Sequence, residues 1–213
     1  PDYREAVIPE EVIAANHRSI EEQLAALRFF DLRNQLSTHA GVLLFGINPR
    51  FFLPGAYVHF VHWPGTTVTD SPLSDRQVSG DLRTVVFQVH ELMRATNRVA
   101  VQRTGGVSER YTPDFPEFAL TELFNNAVMH RDYASNTPVR VNWFSDRIEI
   151  SNPGGLFGEV TPATIESRSG YRNPTMAEAM WNLGFVNRYG SGIASAQRAL
   201  REAGHSPAEF TID

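Results

Sequence analysis

The segment ELFNNAVMHRDY, residues 122–133, holds acid, amide, imidazole and guanidinium groups at helical spacing. At about 100° per residue, Glu122 and Asn126 lie one turn apart on one face, away from the apolar side of the same helix. A carboxylate beside an amide oxygen can position a magnesium ion and a water, because Mg²⁺ prefers hard oxygen ligands. The pattern is also typical of a solvated helix face, so the helix alone leaves both interpretations open.

The HRD tripeptide of this segment, His130 to Asp132, also occurs in the catalytic loop of protein kinases. The kinase motif places its Asn five positions after the Asp, whereas Asn136 follows Asp132 by four. The chain contains no Asp-Phe-Gly tripeptide and no lysine, so two further kinase elements are missing. We therefore exclude a kinase. His130 is a candidate for the rim of a nucleotide pocket, while Arg131 and Asp132 are also explained as a pair that closes the helix.

Two glycine motifs follow this helix along the chain. Asn152, Gly154 and Gly155 come directly after a predicted strand, where glycine permits positive φ and close backbone approach to a ligand. Gly190 and Gly192 open a predicted helix, whose free N–H groups and dipole favour an anion such as phosphate. Each motif alone is also explained by backbone geometry. Their order after the polar helix indicates a nucleotide site.

Composition excludes several classes of site. The 213 residues include no cysteine, which excludes disulfides, thiol catalysis and cysteine-based zinc sites and suits a cytoplasmic protein. All 19 basic residues are arginine, so a phosphate-binding-loop lysine and a Schiff-base lysine are absent. No histidine pair has metalloenzyme spacing, and no apolar run is long enough to cross a bilayer. The net charge of −5 argues against DNA binding by this segment itself.

Hydrophobic periodicity predicts the elements before residue 80. We predict one helix over residues 10–30, and a short helix that Thr38 caps and that ends at Gly46. The stretch AYVHFVHW is a predicted strand. We expect residues 66–79 to form an exposed connection. The predicted division lies there, between a mixed α/β segment over 1–78 and a second domain over 79–213, to which the resemblance given below assigns ATP binding.

The second half has clearer signals. A helix begins at Gly80, and a capping box from Asp114 to Glu117 predicts the start of the helix that carries ELFNNAVMH. PVRVNWF and RIEI are two predicted strands joined by a tight turn at Ser145 and Asp146. We predict that the helix led by Gly190 extends to about residue 201.

This order of motifs resembles the ATP-binding fold shared by gyrase, the large heat-shock chaperone, histidine kinases and MutL, known as the GHKL group. Its E-x-x-x-N-A box matches Glu122, Asn126 and Ala127. Its D-x-G-x-G box resembles NPGG, with Asn152 at the family's adenine-reading Asp, and its late glycine box resembles GSGI at 190–193. The resemblance implies an α+β protein, with a C-terminal two-layer α/β sandwich of the GHKL (Bergerat) type preceded by a smaller mixed α/β segment.

The resemblance also implies ATP and Mg²⁺ as cofactors. It gives Glu122 the role of activating the attacking water and Asn126 that of binding magnesium. The nucleotide-binding residues that we carry over are Asn125, Asn126, His130, Asn152, Gly154, Gly155, Arg172, Gly190, Ser191 and Gly192. Asn152 lacks the charge of the family's Asp, and without lysine Arg172 or Arg188 would contact the γ-phosphate. We therefore expect a weak ATPase or none.

The closer similarity is to the "RecG C-terminal-like" branch of the group, through NNAVMHRDY, RIEISNPGGL, the RNP at 172–174 and GFVNRYGSGI. Members of this branch are described as ATP-binding transcriptional regulators or as helicase-related, with an Alba-type (Schlafen-like) DNA-binding domain in front. Because the first residue is Pro rather than Met, we expect a fragment that lacks this upstream domain. The implied partners are a nucleotide, DNA through that domain, and a second copy of the chain. The alternative is a degenerate ATPase-like fold kept for dimerisation or scaffolding.

Overall fold

The computed structural model describes residues 8–68, 71–103, 109–168, 170–187 and 190–212. In chain order the α-helices are α1 Glu10–Ala14, α2 Ile20–Ala26, α3 His39–Phe45, α4 Leu82–Thr96, α5 Glu117–His130, α6 Pro174–Asn182 and α7 Gly192–Glu202, with a 3₁₀ turn at Pro49–Phe51. The strands are β1 Phe30–Asp31, β2 Leu36–Ser37, β3 Tyr57–His62, β4 Ser74–Ser79, β5 Val99–Arg103, β6 Glu109–Pro113, β7 Val139–Trp143 and β8 Ile148–Ser151. Among these described helices, none has the length and apolarity needed to span a bilayer.

The main sheet has four strands in the order β4-β3-β7-β8. β3 pairs with β7 in parallel, and the two outer pairs are antiparallel. Two separate hairpins, β1-β2 and β5-β6, lie outside this sheet. The parallel pair at the centre joins a strand from the first third of the chain to one that follows α5.

One face of the sheet and the helices that cover it form the core. Alternate residues of a strand point to the same face, and Val58, Phe60, Val139 and Val141 of the two central strands are all buried. They belong to one apolar cluster with Val86 and Val89 of α4, Phe124 and Val128 of α5, and Met176 and Met180 of α6. The molecule is therefore a helical layer on a mixed sheet, which confirms the predicted α+β class.

Several predicted boundaries are confirmed because their signals are local. The Thr38 side chain accepts a hydrogen bond from the N–H of Gly41 at 3.1 Å, and α3 ends at Gly46 as predicted. The helix after Gly80 forms α4, capped by Asp81, whose side chain accepts from the N–H of Thr84. The predicted strand AYVHFVHW contains β3, and the two strands after α5 form the hairpin β7-β8.

Three predicted elements are wrong. The helix over residues 10–30 is two helices, because Ser19 and Glu22 form a capping box that starts α2. Residues 66–79 include the edge strand β4, in which only Val78 is buried, so backbone pairing rather than an alternating pattern defines it. The capping box at Asp114 does not form, because the side chain of Asn97 holds the backbone of Phe115 and α5 begins after Pro116.

The predicted division between residues 78 and 79 falls at the end of β4. β3, before this point, pairs with β7, after it, from Val58 opposite Val139 to His62 opposite Trp143. The two predicted segments therefore share one sheet.

A buried arginine at the end of α5 holds the loop that follows this helix. Arg131 is 1% exposed, and its Nη2 donates to the carbonyls of Ser135 and Thr137 at 2.7 Å each. Gly55 of the N-terminal segment lies against these hydrogen-bonded groups. A Cβ at Gly55 would collide with Arg131 Nη2 and lie 2.6 Å from the Ser135 carbonyl oxygen. Only glycine leaves room for the guanidinium to pass.

We predict that Gly55→Ala lowers the free energy of unfolding by about 1–3 kcal/mol, because overpacking displaces backbone as well as the Arg131 side chain. Gly65→Ala is the matched control, since a Cβ at Gly65 meets no atom within 4 Å. Urea denaturation of both variants measures the difference. Equal stabilities would contradict the proposed packing.

Candidate functional site

Helix α5 carries the polar residues around which the candidate site is built. Its apolar face, including Phe124 and Val128, packs in the core. Its polar face is not solvated throughout: Glu122 is 5% exposed and Asn125 is fully buried. The simple solvated-face interpretation of this helix is therefore wrong for these two residues.

Glu122, Asn126 and Gly192 form what we call the acid–amide cluster. A Cβ at Gly192 would run into Glu122 Oε2 and would lie 3.5 Å from Asn126 Nδ2. Glycine at 192 is therefore required for α7 to approach α5 this closely. Asn126 itself donates from Nδ2 to the Glu122 carbonyl at 2.7 Å, which fixes its amide on the helix surface.

The electrostatics of the acid–amide cluster combine a buried carboxylate with a helix N-terminus. Gly192 is the first residue of α7, and Ser191 before it makes no side-chain capping hydrogen bond. The positive end of a helix dipole stabilises a nearby anion, so Glu122 lies where a bound phosphate would be favoured. Burial nevertheless raises the pKa of the Glu122 carboxyl above its ordinary value of 4.5.

Asn125 is a cross-link rather than an open ligand group. Its Nδ2 donates to the carbonyl of Phe185 at 2.6 Å, and its Oδ1 lies 3.1 Å from Nε2 of His90 on α4. Burial lowers the pKa of His90, partly offset by its bond to Asn125. Sequence reasoning missed His90, although it follows the core residue Val86 by four positions and so shares its face.

The turn that contains Asn152, Gly154 and Gly155 docks on the C-terminal end of α5. The N–H of Asp132 donates to the Pro153 carbonyl at 2.8 Å. Gly154 has φ of +101°, and a Cβ there would lie 3.0 Å from Cβ of Asp132. This turn therefore needs glycine for both its conformation and its contact.

Arg172 and His130 lie beside the same turn. Arg172 Nη2 donates to the Gly155 carbonyl at 3.0 Å, and its guanidinium carbon lies 3.3 Å from a Cβ built at Gly154. His130 stacks on Tyr171 with ring centroids 6.1 Å apart. Burial, and then the charge of Arg172, lower the pKa of His130, which favours a neutral ring.

The structure thus groups the predicted residues into two sets along α5. The first set is the acid–amide cluster, with Glu122, Asn126 and Gly192. The second set lies at the C-terminal end of α5 and contains Gly154, Gly155, Arg172 and His130. Asn152 is half-buried and makes a long 3.4 Å bond from its side chain to the Pro153 carbonyl. Gly190 and Ser191 are exposed, with φ of +62° at Gly190. Arg188 lies outside the described residues.

Two cavities lie near these residues, and of the predicted site residues only Arg172 lines either of them. A cavity of about 470 Å³ is bordered by Arg172 and Tyr133, and a cavity of about 30 Å³ by Arg131 and apolar side chains. Neither is lined by Asn126, Gly154 or Gly192. Between α5 and α7, Gly192 lies so close to Glu122 that a side chain at residue 192 would run into the carboxylate.

The acid–amide cluster fits a magnesium ion only together with phosphate oxygens. In the part of the chain that the structure describes, no three His, Cys, Asp or Glu side chains are grouped to hold a metal. Asn126 uses its Nδ2 within the helix, and its Oδ1 is a hard oxygen that suits Mg²⁺. Mg²⁺ commonly completes its coordination with waters and substrate phosphates.

Residues 136–213 match the sequence model of a family described as "Putative ATP-dependent DNA helicase recG C-terminal". This range contains both glycine motifs and begins after Glu122 and Asn126. That portion of the chain is therefore similar to an ATPase-like domain related to the RecG C-terminus, and the predicted α/β sandwich agrees with it. No curated protein matches the chain.

The fold also recurs in the crystal structure of the DIP2311 protein from Corynebacterium diphtheriae, with a TM-score of 0.74 and 22% sequence identity. The similarity covers 96% of this chain and 40% of that chain. The chain thus spans less than half the length of that protein. At this identity the likeness establishes the fold that both proteins share.

We predict that Glu122→Gln raises the melting temperature most above neutral pH. The folded state binds the Glu122 proton more tightly than the unfolded state, since burial raises this pKa. The resulting stabilisation is complete below the ordinary pKa and is lost as the pH rises through the raised one. A neutral amide avoids that loss.

Melting curves of wild type and variant between pH 4 and pH 8 measure this difference. Glu178→Gln is the matched control, because Glu178 is an exposed glutamate on α6. A Glu122→Gln gain that is constant across this pH range would show that ionisation of Glu122 is not its cause.

Proposed function

We propose that this chain is a regulatory module that binds ATP with Mg²⁺. The observation that carries the proposal is the contact of Gly192, at the N-terminus of α7, with Glu122 and Asn126. A helix N-terminus favours phosphate, and carboxylate and amide oxygens favour Mg²⁺. The similarity of residues 136–213 to an ATPase-like domain supports the same function.

The nucleotide would lie along α5. Glu122 and His130 are about 12 Å apart along the helix axis, at 1.5 Å per residue. We place the phosphates at the acid–amide cluster and the purine at the turn that begins with Asn152. The Asn152 amide supplies both an acceptor and a donor for a base edge, without the charge of an Asp.

Nucleotide entry would require the acid–amide cluster to open. Glu122 lies at the N-terminus of α7, so the phosphates would replace one anion by another at that position. Opening would shift Gly192 away from α5 and move the segment from Gly155 to Gly192, which contains α6. Ligands act on such a segment by stabilising one of its arrangements. The surface that it presents to an upstream DNA-binding domain, or to a second copy of the chain, would change with it.

The chemistry at the phosphates follows from the same residues. Asn126 Oδ1 would hold the magnesium ion, which neutralises developing charge on the phosphates when bound. Glu122 would accept a proton from the attacking water. A carboxyl whose pKa is raised by burial is better matched to that role near neutral pH than an exposed one.

We predict that wild type binds ATP in the presence of Mg²⁺ and that Asn126→Ala weakens the affinity by at least about tenfold, as expected for a lost charge-assisted contact. Isothermal titration measures both. Asn136→Ala is the control, because Asn136 is exposed and lies outside the cluster. Failure of wild type to bind at millimolar ATP would exclude the proposed function.

If wild type hydrolyses ATP, we predict that Glu122→Gln lowers turnover by about 100-fold or more, the usual contribution of a general base. ATP affinity should stay at least as tight, since the amide removes a negative charge beside the phosphates. Phosphate-release assays and titrations of the same samples separate the two effects. Unchanged turnover would remove Glu122 from the mechanism.

A second candidate function is scaffolding or dimerisation by a degenerate ATPase-like fold. The observation that favours it is the closed acid–amide cluster, together with the use of both ends of the Asn125 amide in internal contacts. Hydrogen exchange distinguishes the two functions. Protection of residues 190–192 by ATP and Mg²⁺ supports the nucleotide module, while concentration-dependent self-association without any such protection supports the scaffold.

A further inference from the structure

The cavity of about 470 Å³ lies between the N-terminal segment and the C-terminal half of the chain. Arg28 and the first residues of α3 line one side, and Tyr133, Arg172 and the first turn of α6 line the other. Its volume is within the range of small-molecule sites, about 300–1,000 Å³. The lining includes two arginines and His39 and no acidic residue. In a chain of net charge −5, this is a local concentration of positive charge.

Arg28 occupies a backbone position that would suit glycine better. It follows Leu27, the C-cap residue of α2, and has φ of +62°. The next N–H, that of Phe29, donates to the Leu24 carbonyl at 2.8 Å. Helices commonly end in this way with glycine in the left-handed position. A side chain there costs conformational free energy, so the presence of arginine points to a use for its guanidinium.

Arg172 supplies the second guanidinium among the residues that line the cavity. Its Nη2 is bonded to the Gly155 carbonyl, but its Nε is buried and has no hydrogen-bond partner in the described structure. This Nε lies 3.3 Å from a Cβ built at Gly154, so it faces the glycine turn. Arg172 therefore contributes the positive charge of its guanidinium to the wall of the cavity.

The first turn of α6 supplies backbone donors to the same cavity. Asn173 precedes this nine-residue helix but makes no capping bond. Its side chain instead donates to the carbonyls of Met129 and Arg131. The N–H groups of the first turn, at Thr175 and Met176, therefore border the cavity uncapped.

We propose that this cavity binds a small organic phosphate, a phosphate monoester with an apolar group. The phosphate would lie between Arg28, Arg172 and the first turn of α6, where two guanidinium groups and a helix N-terminus converge on one anion. The apolar group would pack on Leu43 and Met176, which line the same cavity. The site is separate from the acid–amide cluster, whose residues do not line it.

Phenyl phosphate is the probe, titrated by calorimetry into the whole chain in the presence of EDTA. We expect saturable binding that is absent with phenol. Arg28→Gly should weaken this binding by at least about tenfold, because one charge-assisted contact is lost. The same variant should melt at or above the wild-type temperature, since glycine suits the left-handed position. Retained folding thus separates loss of the ligand contact from loss of structure.

Two variants provide the controls. Arg33→Gly removes an exposed arginine from the nearby β1–β2 turn and should bind phenyl phosphate as wild type does. Asn126→Ala should also bind it normally, even though we expect this variant to lose ATP. Wild-type affinity in Arg28→Gly, equal binding of phenol, or loss of binding in Asn126→Ala would each overturn the separate site.

Discussion

The buried guanidinium of Arg131 is the interaction on which the arrangement of the candidate site depends. It holds the loop after α5 through Ser135 and Thr137, stacks over the Tyr133 ring at 4.7 Å, and leaves room only for glycine at residue 55. Its Nε and Nη1 are buried and have no hydrogen-bond partner among the described residues, and burial lowers its pKa. A buried charge that loses its hydrogen-bond acceptors is strongly unfavourable, so these two bonds hold the loop in place. The loop is therefore held in one conformation. The N–H of the neighbouring Asp132 is thereby positioned to donate to the Pro153 carbonyl in the glycine turn.

Around this fixed point, the polar face of α5 is used in two different ways. Asn125 joins α4, α5 and the Phe185 carbonyl, so it contributes to the rigidity of the helical layer. Glu122 is a buried acid at the N-terminus of α7, stabilised by the helix dipole and destabilised by desolvation. A phosphate that binds at the N-terminus of α7 would compete with the Glu122 carboxylate for the same positive end of the helix dipole. This balance is the physical basis on which a phosphate could alter the packing of α7 against α5.

Arg172 connects the two anion sites that we propose. Its Nη2 is bonded to the glycine turn at Gly155, and the same residue lines the large cavity. Its guanidinium also lies 5.2 Å from the Phe157 ring, in the segment that follows the turn. An anion in the cavity and a nucleotide at the turn would therefore act on the same side chain. Coupling between the sites, if both are occupied, would pass through this contact and would be reciprocal.

The sequence by itself determined the elements whose signals are local. The cap at Thr38, the stripe of α4, the α5 helix and the β7-β8 hairpin follow from side-chain periodicity and capping within a few residues. The sequence also predicted that Glu122 and Asn126 lie on one face of α5, because they are one helical turn apart. The order of the glycine motifs after that helix then led to the family resemblance, which assigned them to one nucleotide site.

Only the tertiary structure decided how those motifs meet. The edge strand β4 is defined by backbone bonds to β3, which leave no pattern in its side chains. The burial of Glu122 and Asn125 results from α7, α4 and Phe185 covering a face that the sequence shows as polar. The cavity beside Arg28 is lined by residues 28–43 together with residues 133–176, which lie far apart in the sequence. Such contacts depend on the distances that packing sets between elements far apart in sequence, and local spacing carries no information about them.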